Sequence, residues 1–205
     1  MANFGYSEQT NSEPKLSRGE QITSLVWEMT KIAVISLAII LPVRYFLIQP
    51  FYVKGASMEP NFHDHEYLII DEISYRLGEP ERGDIVVFKY PKDPKQYFIK
   101  RIVALPGEQV VVKEGNVYIA KAGEDLIELD ETYLPEDIRT ELALRGYGDV
   151  TLGDDQYFLL GDNRDQSLDS RIFGPVHRDF MVGKTWIRGW PFTRLTVFSN
   201  PMYNL

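Results

Sequence analysis

Tyr97-Phe-Ile-Lys-Arg-Ile-Val-Ala104 is an alternating, β-branched run with two cations at its centre. On a strand, successive side chains point to opposite faces, so Phe98, Lys100 and Ile102 share one face and Ile99, Arg101 and Val103 the other. Whichever face packs on a core buries a cation among apolar groups. A lysine on the solvated face of an edge strand is the ordinary arrangement. A buried lysine is chemically different: desolvation penalises its charged form and brings its pKa from about 10.4 toward 7 or 8, where the neutral amine accepts a proton.

The same β chemistry extends in both directions from this run. Tyr67–Asp71, Asp84–Tyr90, Gln109–Lys113 and Tyr157–Leu160 are β-branched or aromatic stretches, and Met181–Phe198 carries further strands. Arg82-Gly83, Pro106-Gly107 and Glu114-Gly-Asn116 supply the turns between them. The pattern predicts a mainly β protein built on an antiparallel sheet with tight connections. Residues 113–150 are more acidic and read as a peripheral insertion, with one helical-looking piece at Pro135–Arg145.

Two polar stretches offer chemistry to Lys100. In Phe51-Tyr-Val-Lys-Gly-Ala-Ser-Met-Glu-Pro60 a short β run ends at Gly55-Ala56, leaving the Ser57 hydroxyl approachable, and Pro60 blocks a regular continuation. Alone, such a serine is a turn residue. A neutral lysine, however, activates a serine without a histidine and an aspartate. In Gly161-Asp-Asn-Arg-Asp-Gln-Ser-Leu-Asp-Ser-Arg171 the dense mixed charge fits a solvated loop. It equally fits a buttress: Asp162 and Asp169 can pair with Arg101, Arg164 or Arg171, and the Ser167 hydroxyl can hold a lysine rotamer.

The N-terminal side reads differently. Residues 1–22 are polar and show no periodicity, which predicts a flexible tail. Residues 23–48 contain the apolar run Ile32–Val43, short for a span that needs about 20 residues. A buried core helix or a cleaved signal sequence would also give such a run. Three features favour a retained transmembrane anchor: Lys31 and Arg44 near the ends can snorkel, Trp27 and Tyr45 suit the interfaces, and Ile32–Leu41 is apolar all round. Lys15, Arg18 and Lys31 before the span, against Arg44 and Lys54 after it, give a thin bias toward a cytoplasmic N-terminus. Residues 49–205 form the remaining domain.

Composition excludes several classes. The 205 residues are 44% hydrophobic and 13% aromatic, enough for one good core, and the net charge of −8 argues against a nucleic-acid partner. Without cysteine there is no disulfide, thiol nucleophile or thiolate metal site. His63 and His65 read as turn residues, because His177 is the one other histidine available for a zinc site. Trp186, Trp190 and Phe192 read as core residues, with an interfacial belt that seats the domain on lipid as the weaker alternative.

Gly55-Ala-Ser-Met-Glu-Pro60, Arg82-Gly-Asp-Ile-Val-Val-Phe88, Ile99-Lys-Arg-Ile-Val-Ala-Leu-Pro-Gly-Glu108 and the 161–171 stretch, in this order behind one anchor, resemble the signature boxes of type I signal peptidases. The resemblance implies an antiparallel β catalytic domain with a smaller, variable β-rich insertion. It implies Ser57 as nucleophile, Lys100 as general base and Ser167 as the group that orients the lysine. Asp162 with Arg101, and Asp169 with Arg171, are then structural pairs, and Phe51, Val53, Met58 and Ile99 line shallow pockets for small side chains. The implied reaction is removal of signal peptides from exported precursors after an Ala-x-Ala-like site, without cofactor or metal. The implied place is the trans side of a bacterial cytoplasmic or a thylakoid membrane, with precursors and the lipid bilayer as partners. Gly55 stands where many bacterial members carry a hydroxyl residue, so a side-chain oxyanion donor is missing. Two other readings compete: a non-enzymatic, membrane-tethered β domain that captures exported chains, and a Ser-Lys self-cleaving regulator, which would bring a DNA-binding domain.

Overall fold

The computed structural model describes residues 17–42, 48–142 and 146–204. The polar tail through residue 16, and Arg44 and Tyr45 beyond the apolar run, lie outside the described residues. The chain divides into two units, residues 1–43 and 44–205.

The first unit is one helix, α1 (Arg18–Pro42), which starts five residues before the expected beginning of the apolar segment at residue 23. A capping box explains the early start. The Glu20 N–H donates to Ser17 Oγ (3.3 Å) while the Ser17 N–H donates to Glu20 Oε2 (2.8 Å), so two of the helix's orphan donors are satisfied. At 25 residues α1 is about 37 Å long and is apolar enough to cross a membrane. Its side chains are exposed on every face, as the unstriped run between Lys31 and Pro42 predicts.

The second unit is mainly antiparallel β structure. β1 (Ile48–Tyr52), β2 (Tyr67–Asp71), β3 (Ile85–Tyr90), β4 (Asp93–Ala104), β9 (Gln156–Leu160), β10 (Val176–His177), β11 (Met181–Trp190) and β12 (Thr196–Val197) form the larger sheet, in the order β1-β2-β11-β3-β4-β9-β10 with β12 on β11. Neighbours from β1 through to β4 are all antiparallel, so β1 and β4 themselves run in the same direction. β3 pairs along one edge of β4, but β9 covers the other edge only from Arg101 to Ala104. Among the described residues, the stretch Tyr97–Lys100 therefore keeps an edge with no strand on it.

The smaller sheet is the β-rich insertion: β5 (Gln109–Lys113), β6 (Asn116–Ala120), β7 (Ile127–Glu128) and β8 (Asp149–Thr151), in the order β7-β6-β5-β8. Lys113 pairs with Asn116 across the two-residue turn Glu114-Gly115, both at positive φ (53° and 82°), the twist that a tight hairpin requires. Val110, Val112, Val117 and Ile119 of this sheet share one core with Val103, Phe158 and Leu160 of the larger one. A second core, with Val53, Met58, Phe62, Leu68, Ile70 and Val87, lies beside the turn that carries Ser57.

The helix expected over Pro135–Arg145 does not form in its described part, 135–142. Its backbone is committed elsewhere: the Thr140 N–H donates to the Gly115 carbonyl (2.7 Å), and the Glu141 carbonyl accepts from Arg171 (2.9 Å). Those bonds compete directly with an i, i+4 ladder. Two short α-helices appear elsewhere among the described residues, α2 (Ile73–Leu77) and α3 (Ser170–Phe173). The expectation that Trp186, Trp190 and Phe192 are core is also overturned: they are 46%, 50% and 73% exposed.

Candidate active site

Ser57 lies in the turn that follows β1, and two ties fix this turn. The Gly55 N–H donates to Asp64 Oδ1 (2.9 Å), and Gly55 sits at φ +93°, a conformation that L side chains rarely adopt. From the other side, the Asn163 N–H donates to the Ser57 carbonyl (3.2 Å) and Asn163 Nδ2 to the Ala56 carbonyl (3.1 Å). The loop after β9 is thus clasped to the serine turn.

Lys100 reaches the same point from β4. Its Nζ lies 2.7 Å from Ser57 Oγ and donates to the Ile99 carbonyl at 2.8 Å. The residue is only 3% exposed. Desolvation brings its pKa down to about 8, against the opposing pull of Asp169 and Asp162. Burial outweighs both carboxylates because each is already neutralised by its own arginine.

Those pairs are buried and bidentate. Arg101 Nε and Nη2 donate to the two oxygens of Asp162 (2.9 and 2.7 Å), and Arg171 Nε and Nη2 to those of Asp169 (2.9 and 2.8 Å). Asp162 and Asp169 are fully buried, so each guanidinium offsets a large desolvation cost. Asp169 also accepts from the Gly161 N–H (3.1 Å), and Asn61 Nδ2 donates to Asp162 (2.9 Å). Arg164, the third candidate partner for these carboxylates, turns away to the insertion. It pairs with Glu131 at 2.5 Å and bonds the Thr140 hydroxyl.

Ser167 does not make the bond expected of it. Its Oγ is buried with no hydrogen-bond partner among the described residues, while the two bonds formed by Lys100 go to Ser57 and Ile99. The hydroxyl packs against Gly161, where a Cβ would collide with both Ser167 Oγ and the Ser57 carbonyl. A glycine is required at 161 for this close approach.

A cleft of about 290 Å³ opens on Ser57 and Lys100. Its walls come from the β1 side, including Phe51 and Val53, and from the β4 side, including Tyr97 and Ile99. The Phe51 and Tyr97 rings meet across it at 5.5 Å. Met58, expected in the lining, is 1% exposed and packs one layer deeper, in the core with Phe62 and Leu68. Gln166 and Leu168 also face the cleft, although nothing in the sequence singles them out from the polar loop around them. Glu131 has no sequence signature either: an acidic residue in an acidic segment carries no local signal of a buried arginine 33 positions away. His63 and His65 lie in the turn between β1 and β2, beside Glu59 and Asp64 respectively.

Comparison with known proteins bears on the family of the chain. The family model described as signal peptidase, peptidase S26, matches residues 26–190. A probable signal peptidase I-2 of Synechocystis sp. is 39% identical over 84% of this chain and 77% of its own length. Signal peptidase I T of Bacillus subtilis is 34% identical over 91% of this chain and 95% of its own length. A crystal structure of a signal peptidase I from Enterococcus faecalis, 30% identical, aligns over 52% of this chain and 96% of its own, with a TM-score of 0.43. On the family match, which runs from within α1 to the end of β11, and on these two relatives, the chain belongs to the signal peptidase family, peptidase S26.

Proposed function

We propose that this peptidase removes signal peptides from exported precursors with a Ser57–Lys100 dyad, cutting after an Ala-x-Ala-like site. The observation that carries the reading is the 2.7 Å approach of a buried, pKa-lowered Lys100 to Ser57 at the floor of an open cleft. Neutral Lys100 takes the Ser57 proton as Oγ attacks the scissile carbonyl. The Ser57 N–H stabilises the oxyanion. The Gly55 N–H is already committed to Asp64, and no hydroxyl stands at 55, so position 55 adds no second donor. As the C–N bond breaks, the Lys100 ammonium returns its proton to the leaving amine. Water, deprotonated by the same amine, then releases the acyl group and restores Ser57. Ser167 is assigned to orient Nζ once Ser57 is acylated and no longer offers its hydroxyl. Asp162–Arg101 and Asp169–Arg171 hold the loop against the serine turn.

The acyl side of the substrate enters as an extended strand between β1 and the uncovered edge of β4, where backbone groups on both sides are available. Phe51, Val53 and Ile99 leave shallow apolar space that admits small side chains near the cut. α1 anchors the chain in the membrane, with the N-terminus cytoplasmic and the β unit on the trans side.

The test is cleavage, in detergent, of a precursor with an Ala-x-Ala site by the full chain and by Ser57→Ala and Lys100→Ala. Both variants are expected to lose at least roughly a thousandfold in kcat. The wild-type rate should rise with pH through an apparent pKa near 8, since only the deprotonated lysine is the base. Turnover retained by either folded variant, or a rate that falls across that window, refutes the dyad. Binding without turnover by wild type would instead mark a capture domain.

A further inference from the structure

The cleft is strand-like on one side of Ser57 and not on the other. On the approach side, β1 is an edge strand, and β4 keeps its second edge open through Lys100. At the next residue the edge closes: Arg101 pairs with Leu160, Ile102 with Leu159 and Ala104 with Phe158. A chain added alongside β4 therefore stops pairing at the residue that carries the base. Beyond that point it meets the segment that continues β9, which is held in place by the Asn163 bonds to Ala56 and Ser57 and by the buried Asp169–Arg171 pair.

Two side chains of this segment line the cleft while the residue between them turns inward. Ser167 is buried, and Gln166 and Leu168 flank it, both exposed, with Leu168 41% exposed. Leu168 is the one apolar side chain in the otherwise polar 161–171 loop, and it stands open beside Ser57 and Lys100. We propose that Gln166 and Leu168 form the leaving-group subsite: Leu168 receives the side chain of the first residue after the cut, and the Gln166 carboxamide bonds the backbone there. Recognition before the cut then runs through main-chain pairing and small pockets. Recognition after it runs through two side chains on a rigid loop, and favours an apolar residue over an acidic one.

This inference rests on the Ser-Lys reading, and the experiment separates the two. The full chain in detergent is given peptides with one invariant Ala-x-Ala sequence before the cut and Leu, Ala or Asp immediately after it. A second set varies the third residue before the cut. In parallel, leucinamide and glycinamide compete with water for the acyl-enzyme: the amine nitrogen displaces Ser57 Oγ from the acyl carbon, and its proton passes through Lys100 to Ser57. One methylene in an apolar site changes kcat/KM by about 10-fold or more, and Leu168 is half open. Leu168→Ala should therefore cut the preference for Leu over Asp by about 3- to 10-fold. It should lower the leucinamide partition without changing that of glycinamide. Gln166→Ala should weaken all amine acceptors alike. Profiles after the cut that are unchanged in both variants, or a change confined to the third residue before it, overturn the subsite while the dyad stands. Turnover retained by folded Ser57→Ala or Lys100→Ala overturns the dyad and the subsite together.

Discussion

The burial that suits Lys100 to the proposed role of base opposes stability. Its folded pKa, near 8, lies below the unfolded value of about 10.5, so between those values the unfolded chain binds more protons and wild-type stability rises with pH. Below pH 8 the penalty is complete. A shift of this size corresponds to about 3 kcal/mol. Lys100→Met, similar in length and apolar, is therefore expected to be inactive yet more stable at pH 7, by up to about 3 kcal/mol. The advantage should shrink above pH 8 and vanish near 10.5. Urea denaturation of both proteins at pH 7 and pH 10 checks this; a variant less stable than wild type at pH 7 would mean that Lys100's bonds to Ser57 and Ile99 outweigh its burial.

The strands decide where backbone groups are available. The Val53 N–H donates to the Glu66 carbonyl, and the Val53 carbonyl accepts from the His65 N–H, so both Val53 groups face the partner strand side. By alternation those of Tyr52 face the open edge, where the cleft lies. Tyr52→Pro removes one donor from that edge and leaves the β1–β2 ladder intact. We expect normal folding by circular dichroism and roughly a tenfold lower kcat/KM for peptide cleavage, the worth of one backbone hydrogen bond. Unchanged cleavage would rule out strand addition at β1. These strands were legible in the sequence because β-branched runs and turn residues are local signals: Tyr67–Asp71 and Gln109–Lys113 have the expected bounds. Pro135–Arg145 misled because its helical pattern is local while the bonds that unwind it come from Arg171 and Gly115. Ser57, Lys100 and the 161–171 loop stood out through their motifs. Met58's depth and the exposure of Leu168 did not, because both depend on how the loop folds over the sheet.

At the level of the entire molecule, exposed apolar side chains of the described residues gather most densely in two places. One is α1, and the other is the end of β11 and the segment beyond it, with Trp186, Trp190, Phe192, Leu195 and Val197. Arg188 and Arg194 brace this second patch from beneath by pairing with the buried Glu66 at 2.8 and 3.0 Å. Large aromatic groups held open on a rigid base suit a lipid interface, and we propose that this face rests on the bilayer. The chain has three tryptophans, so a Trp27→Phe protein reports on this face alone. In vesicles containing brominated lipid its emission should be strongly quenched, and Phe192→Ala should reduce the quenching. Emission equal to that in unbrominated vesicles would place the patch in water. The insertion, for its part, is not an ornament on the catalytic sheet. Arg164, buried in the loop behind Ser57, finds its carboxylate in Glu131 and its hydroxyl in Thr140, both on the insertion. For anyone building chimaeras, the two parts are therefore not interchangeable modules: a grafted insertion that lacks this pair of residues strands a guanidinium inside the protein, so a working graft must carry both ends of that bond.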